Sequence, residues 1–187
     1  TITDLITGIH YIQGHGKFSI KVLNKKIKFR SGELFKMDKI VQSQNLLGNI
    51  DIFKYVNFNF KDISKKEIDI YVYASPFKKY QLATEGGASV NVTQGTSLPG
   101  PFINFSFKDR NVFRGFEIFE TNIRYAIEGQ ASATNENQFF NNREVGLNVG
   151  ISMPKILFPH FLLPKRLEDA MYSFNPRSRI SMGYTNV

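Results

Sequence analysis

Between Pro101 and Glu128 the chain alternates apolar and polar residues with a period of two. Ile103, Phe105 and Phe107 fall on one face, and Asn104, Ser106 and Lys108 on the other. After a break at Arg110-Asn111-Val112-Phe113-Arg114-Gly115, Phe119, Thr121, Ile123, Tyr125 and Ile127 oppose Glu120, Asn122, Arg124, Ala126 and Glu128. This periodicity predicts two strands, each with one apolar and one wet face, joined as a hairpin by a Gly-containing turn. The same alternation marks strands over Tyr80–Thr93, 144–153 and Arg179–Tyr184. In the first of these, Gly86 and Gly87 interrupt the pattern, as glycines do at a bend, a bulge or a close approach of backbones. Residues 129–142 predict a long polar loop. Residues 155–176 are broken by Pro159 and Pro164, with a single helical turn expected over Leu167–Tyr172.

The pattern differs before Pro76. A strand is expected over 5–13 and a helix within 18–29, where Phe18, Val22, Leu23 and Ile27 recur at helical spacing. A second helix is expected over Met37–Leu47, with Ile40, Val41 and Leu47 on its buried stripe and Gly48 as its stop. Strands follow at 51–60 and 67–74, the latter with Ile68, Ile70 and Val72 on one face. A β-α-α-β-β order puts both helices on one face of a small sheet. The organisation read here is an α+β domain over residues 1–76 and a region of antiparallel meander strands over 77–187.

Composition narrows the function classes. The net charge of +8 raises nucleic acid as a partner. The 18 Phe and 8 Tyr, however, sit on strand apolar faces and are not interleaved with basic residues along a groove, so nucleic acid is not expected. No cysteine is present, which removes disulfides and thiolate chemistry. No apolar run reaches the roughly 18 residues of a spanning helix, a criterion that does not apply to membrane strands. His10, His15 and His160 lack ligand-like spacing, and no nucleophile–base set, phosphate loop or metal cluster is legible. Glu85, Glu120, Glu128 and Glu144 are expected as solvated charges paired with arginines such as Arg124, Arg143 and Arg179 rather than as acid/base groups. No catalysis and no cofactor are expected. Asn91-Val92-Thr93 and Asn104-Phe105-Ser106 match the glycosylation pattern but fall inside expected strands.

Period-two strands fit either a β-sandwich, with the apolar face buried under a second sheet, or a membrane barrel, with that face turned to lipid. Three segments bear on the choice. Lys21–Phe58, with Gly32-Glu33, Leu47, Gly48, Phe53 and Val56, resembles the body of a POTRA domain. Lys66–Leu82 is similar to a passage from the last POTRA strand into a first barrel strand. Arg110–Glu117 resembles a periplasmic turn between barrel strands, with Arg110, Asn111, Phe113, Arg114 and Gly115 as its motif. In this order they resemble the BamA/TamA family of outer-membrane assembly factors, and most of all the TamA-type lipoproteins of Bacteroidetes.

The resemblance implies a periplasmic POTRA domain followed by the first strands of an outer-membrane β-barrel, apparently truncated. It implies a non-catalytic role in inserting nascent outer-membrane proteins. The lipid bilayer, the client proteins and a periplasm-spanning TamB-like protein would be the partners. The first barrel strand, with Tyr80, Leu82, Glu85, Gly86, Gly87 and Val90, would form a lateral seam. Glu120, Arg124, Glu128 and Glu144 would face the lumen. The alternative is a soluble α+β plus β-sandwich module that binds carbohydrate or protein.

Overall fold

The computed structural model of the chain describes residues 2–3, 8–14, 17–64, 67–89, 97–130, 140–155 and 175–186; at 2–3, 62–64, 97–98, 128–130 and 140–142 only the backbone is described. The described residues form mostly antiparallel β-sheet with two helices. The chain divides into two compact units that are not contiguous stretches. The first holds Thr1–Lys78, Arg110–Ile118 and Ser152–Ser178, and the second Lys79–Asp109, Phe119–Ile151 and Arg179–Val187.

In the first unit, β1 (Ile2–Thr3) pairs antiparallel with β2 (His10–Tyr11). Of the strand expected over 5–13, only His10 and Tyr11 are strand among the described residues, because Gly8 takes a φ of +67° and turns the chain there. Helix α1 (Ile20–Lys26) is shorter than expected. It ends at Ile27, which is extended, and the Lys28 N–H donates to Ser43 Oγ at 2.8 Å instead of continuing the helix. Helix α2 (Met37–Gly48) buries Ile40, Ser43, Leu46 and Leu47. Val41, expected on the buried stripe, is 43 % exposed, because the i, i+3, i+7 row from Ile40 runs through Ser43 and Leu47.

The hairpin of β3 (Phe53–Ser64) and β4 (Glu67–Pro76) supplies the sheet under the helices, with α1 packed on α2 and α2 on β3. β3 starts later than expected, since Asp51 and Ile52 lie in the turn leading to it. A register shift between Phe53 and Tyr55 leaves Lys54 as the extra residue of a bulge. Phe58 opposite Val72 and Val56 opposite Ala74 face inward, and Tyr55, Tyr71 and Tyr73 face outward. Ile68, expected to share the inner face with Ile70 and Val72, is 42 % exposed near the hairpin end. The core joins Ile40, Leu47, Ile50, Ile52, Phe53 and Phe58 with Phe116 and Ile118 from the distant 110–118 turn.

The second unit is one sheet ordered β10 (Ser178–Asn186), β9 (Phe140–Met153), β8 (Ile118–Gln130), β7 (Gly100–Arg110) and β5 (Tyr80–Ser89). The two-residue β6 (Ser97–Leu98) pairs with the far end of β8. β5 runs antiparallel to β7 in unbroken register from Tyr80 opposite Asp109 to Ser89 opposite Gly100. The sheet is open, with β5 at one edge and β10 at the other. β8 and β9 reach into the stretch expected as a loop over 129–142; residues 131–139, the expected helical turn at Leu167–Tyr172, the Asn91–Thr93 tripeptide, His15 and His160 lie outside the described residues.

Candidate functional site

Two features stand out, one in each unit. The first is the wet face of the second unit's sheet, wired through β8. Glu120 binds Lys108 of β7 at 2.7 Å and Arg179 of β10 at 3.2 Å. Arg179 reaches over β9 beside Gly150, where a Cβ would lie in ordinary contact with its guanidinium at 3.5 Å. Four residues further along β8, on the same face, Arg124 lies 3.6 Å from Glu144 of β9. Its guanidinium also sits over the Phe102 ring of β7 at 4.8 Å and donates to Ser89 Oγ of β5 at 3.5 Å. Between the two charged hubs, Ser106 donates to Asn122 at 2.6 Å, and Asn104 donates to Glu85 at 3.3 Å.

Small residues line this face beneath the long side chains. Ala126, Gly146 and Gly150 are buried on this face. A Cβ on Gly87 would meet the Phe102 ring at 3.1 Å, and one on Gly146 would meet Arg124 Cβ at 3.6 Å. Gly183 leaves the space taken by the Asn148 amide. Shallow recesses of about 260 and 220 Å³ lie beside Glu120, lined by Asn122, Asn148, Arg179 and Ser181 on one side and by Gln81, Ser106 and Lys108 on the other.

The opposite face is bare. Phe105 is 43 % exposed, Ile123 46 %, Leu147 40 % and Leu82 71 %, and Tyr80, Ile180, Met182 and Tyr184 are exposed with them. On the wet face the Glu120 and Glu144 side chains are covered to 22 % and 24 % exposure by their ion pairs, while Asn122, Asn148, Ser181 and Arg179, at 58 %, are exposed as well. Among the described residues of this unit no second layer covers the apolar side. A soluble antiparallel sheet covers its greasy face and wets only the other, and here the greasy face is open too.

The second feature is the turn Arg110–Ile118. Asn111, Arg114 and Phe116 all have φ between 64° and 68°, a region that non-glycine residues enter at a cost. Local and tertiary bonds hold them there. The Asn111 N–H donates to Glu117 O at 2.6 Å, and the Asn111 side chain accepts from the Phe116 N–H at 3.1 Å while donating to Lys17 O at 3.0 Å. The Arg114 carbonyl accepts the Ser19 N–H at 2.9 Å. Arg110 is buried; it donates to Lys78 O at 3.2 Å and lies 4.9 Å over the Phe77 ring. Phe116 is 1 % exposed, stacked on Phe18 at 5.4 Å and edge-on to Phe53 at 5.8 Å. Glu117 is buried, accepts the Gly115 N–H at 2.8 Å and lies 3.9 Å from Lys155. A Cβ on Gly115 would collide with that carboxylate.

The residues singled out from sequence are distributed as follows. Tyr80, Leu82, Glu85, Gly86 and Gly87 lie on edge strand β5, and Val90 falls outside the described residues. Glu120, Arg124 and Glu144 share the wired face, whereas the side chain of Glu128 falls outside the described residues. In the turn, Phe113 is 71 % exposed, and its neighbour Phe116, absent from the sequence motif, is the anchor. Gly32 has a φ of +80°, and Glu33 pairs with Lys39 at 2.5 Å, which holds its carboxyl below the usual carboxylate range. Leu47 and Phe53 are buried, Val56 is half-buried against the same core, and Gly48 closes α2. Glu117, Lys108, Gly150 and Gly183 were not singled out; their strand parity with Glu120 was the available signal for Lys108 and Gly150.

Lys26 is fully buried and donates to Asn175. Burial, then the charges of Lys28 and Arg177, pull its ammonium down to about 8. Arg177 closes on Asp51 at 2.7 Å and on the Asn49 carbonyl, tying residues 175–177 to the end of α2. No group of metal-ligating side chains occurs among the described residues.

No protein-family model matches the chain, and the search of curated proteins gives no match. Among solved structures, it is similar to the crystal structure of BamA from Haemophilus ducreyi lacking POTRA domains 1-3, with 11 % identity and a TM-score of 0.39. That alignment covers 90 % of this chain and 33 % of that structure, so the chain spans about a third of its length.

Proposed function

We infer that this chain serves in a non-catalytic outer-membrane assembly factor. In this reading the first unit is a POTRA-type periplasmic domain, and the second is a run of barrel strands whose bare face meets lipid and whose wired face meets water. The uncovered apolar face of the sheet carries the reading. Soluble monomers rarely expose apolar patches beyond about 300–600 Å², and a strand whose greasy side faces hydrocarbon needs no second layer. A sandwich module would need Phe105, Ile123 and Leu147 covered, and they are not.

β5 is the edge at which an incoming client strand would add, by pairing with exposed backbone groups. The clients are nascent outer-membrane proteins. A periplasm-spanning TamB-like protein docking on the first unit, and the TamA-type lipoprotein affiliation, follow from the resemblance of the three sequence segments.

Because the chain has no cysteine, single cysteines test the assignment of faces. Phe105→Cys and Leu147→Cys should be protected from a charged aqueous thiol reagent in bilayers and labelled by a lipophilic one. Asn104→Cys and Asn122→Cys should show the reverse. Aqueous labelling of both faces alike would refute the reading.

A further inference from the structure

The loop between α1 and α2 exposes apolar side chains that it has no packing reason to expose. Leu34 is 81 % exposed and Met37 56 %, with Val41 one helical turn beyond Met37 at 43 %. The tip is held in shape. Gly32 supplies a positive φ, the Glu33 N–H donates to the Arg30 carbonyl at 3.3 Å, and Lys39 grips the Glu33 carboxylate at 2.5 Å. Phe35 is pinned edge-on to Phe60 at 6.0 Å. The result is a convex knob with Leu34 outermost, which no groove of the described residues receives.

Around the knob Arg30 and Lys36 are exposed and flank the tip, Glu33 is paired with Lys39, and Asp38 beside Met37 is the one further acid, which leaves the rim net basic. A protruding apolar tip with a cationic collar matches the chemistry of an anionic bilayer surface. The side chains enter the acyl boundary, and the collar stays among phosphates.

We propose that the Leu34–Met37 tip of the first unit inserts into anionic phospholipid and holds this unit against a membrane surface. The inference goes beyond the assembly role and stands on the first unit alone.

The test uses the full chain carried in nonionic amphipol, with a polarity-sensitive dye on Leu34→Cys. It is mixed with phosphatidylcholine vesicles with and without phosphatidylglycerol. The dye should shift to the blue and escape iodide quenching only when phosphatidylglycerol is present, and should revert at high salt, where screening shortens the reach of the collar. Replacing Arg30 and Lys36 by Gln should weaken the effect roughly tenfold or more. The same dye on Asn59→Cys should not respond. Continued quenching of the position-34 dye in both vesicle types overturns the proposal. So does an equal response to neutral vesicles, or shielding produced by an unfolded outer-membrane protein but not by vesicles. A dye on Phe105→Cys reports the sheet's lipid exposure separately, so failure at one site is distinguishable from failure at the other.

Discussion

Phe116 and Phe113 sit three positions apart in one turn, and only the buried one is paid for in stability. Phe116 fills the space between Phe18 and Phe53 with 1 % of its surface exposed. Phe116→Ala should cost about 3–5 kcal/mol, while Phe113→Ala should stay within about 0.5 kcal/mol. Amide exchange at Ile40 and Leu47 reads both. Lys26 provides a second check. Its ammonium is pulled from an ordinary 10.5 to about 8, so between those values the unfolded chain holds a proton that the folded chain has released. Stability of the first unit should therefore rise as pH goes from about 8 towards 10.5, and Lys26→Met should flatten that slope in urea titrations run across the window. Single-residue features of this kind were hard to read from sequence. The motif Arg-Asn-x-Phe-Arg-Gly drew attention to Phe113, but a left-handed φ at Arg114 and Phe116 sets which ring turns inward, and no periodicity operates inside a turn.

Elements were more legible, because a period of two or of 3.6 is repeated often enough to survive noise. The strands Tyr80–Ser89, Gly100–Arg110 and Ile118–Gln130 and the helix Met37–Gly48 fall where alternation or helical spacing put them. The misses have local causes: Gly8 broke the first strand, and Ile27 stopped α1 early. On β5 the two glycines are unequal. A Cβ at Gly86 would meet a backbone oxygen at an ordinary 3.6 Å, whereas one at Gly87 would press on the Phe102 ring at 3.1 Å. Val at Gly86 should therefore be accommodated and strengthen the strand's propensity, and adding Val at Gly87 should displace Phe102 from beneath Arg124. If β5 is the strand that opens to clients, Gly86→Val alone should slow client insertion in a reconstituted assay without unfolding the sheet. An unchanged rate would remove β5 from that role.

For the molecule as a whole, alternation could not distinguish sandwich from barrel strand, since both have period two. What separates them is which face is covered, a tertiary quantity. The pairing partners of Glu120 and Arg124 were equally hidden, because the sequence spaces them along β8 but does not say which strands flank it.

The ion pair between Glu120 and Arg179 skips a strand, and this affects how the sheet can come apart. A rim strand fastened only to its neighbour can be peeled away one rung at a time. β10 is also tied two positions inward, by a contact of at most about 1 kcal/mol that adds to the ladder beside it. The opposite rim has a contact of the same kind, since Arg124 of β8 reaches Ser89 of β5 across β7 at 3.5 Å, so both rims are tied to the middle of the sheet.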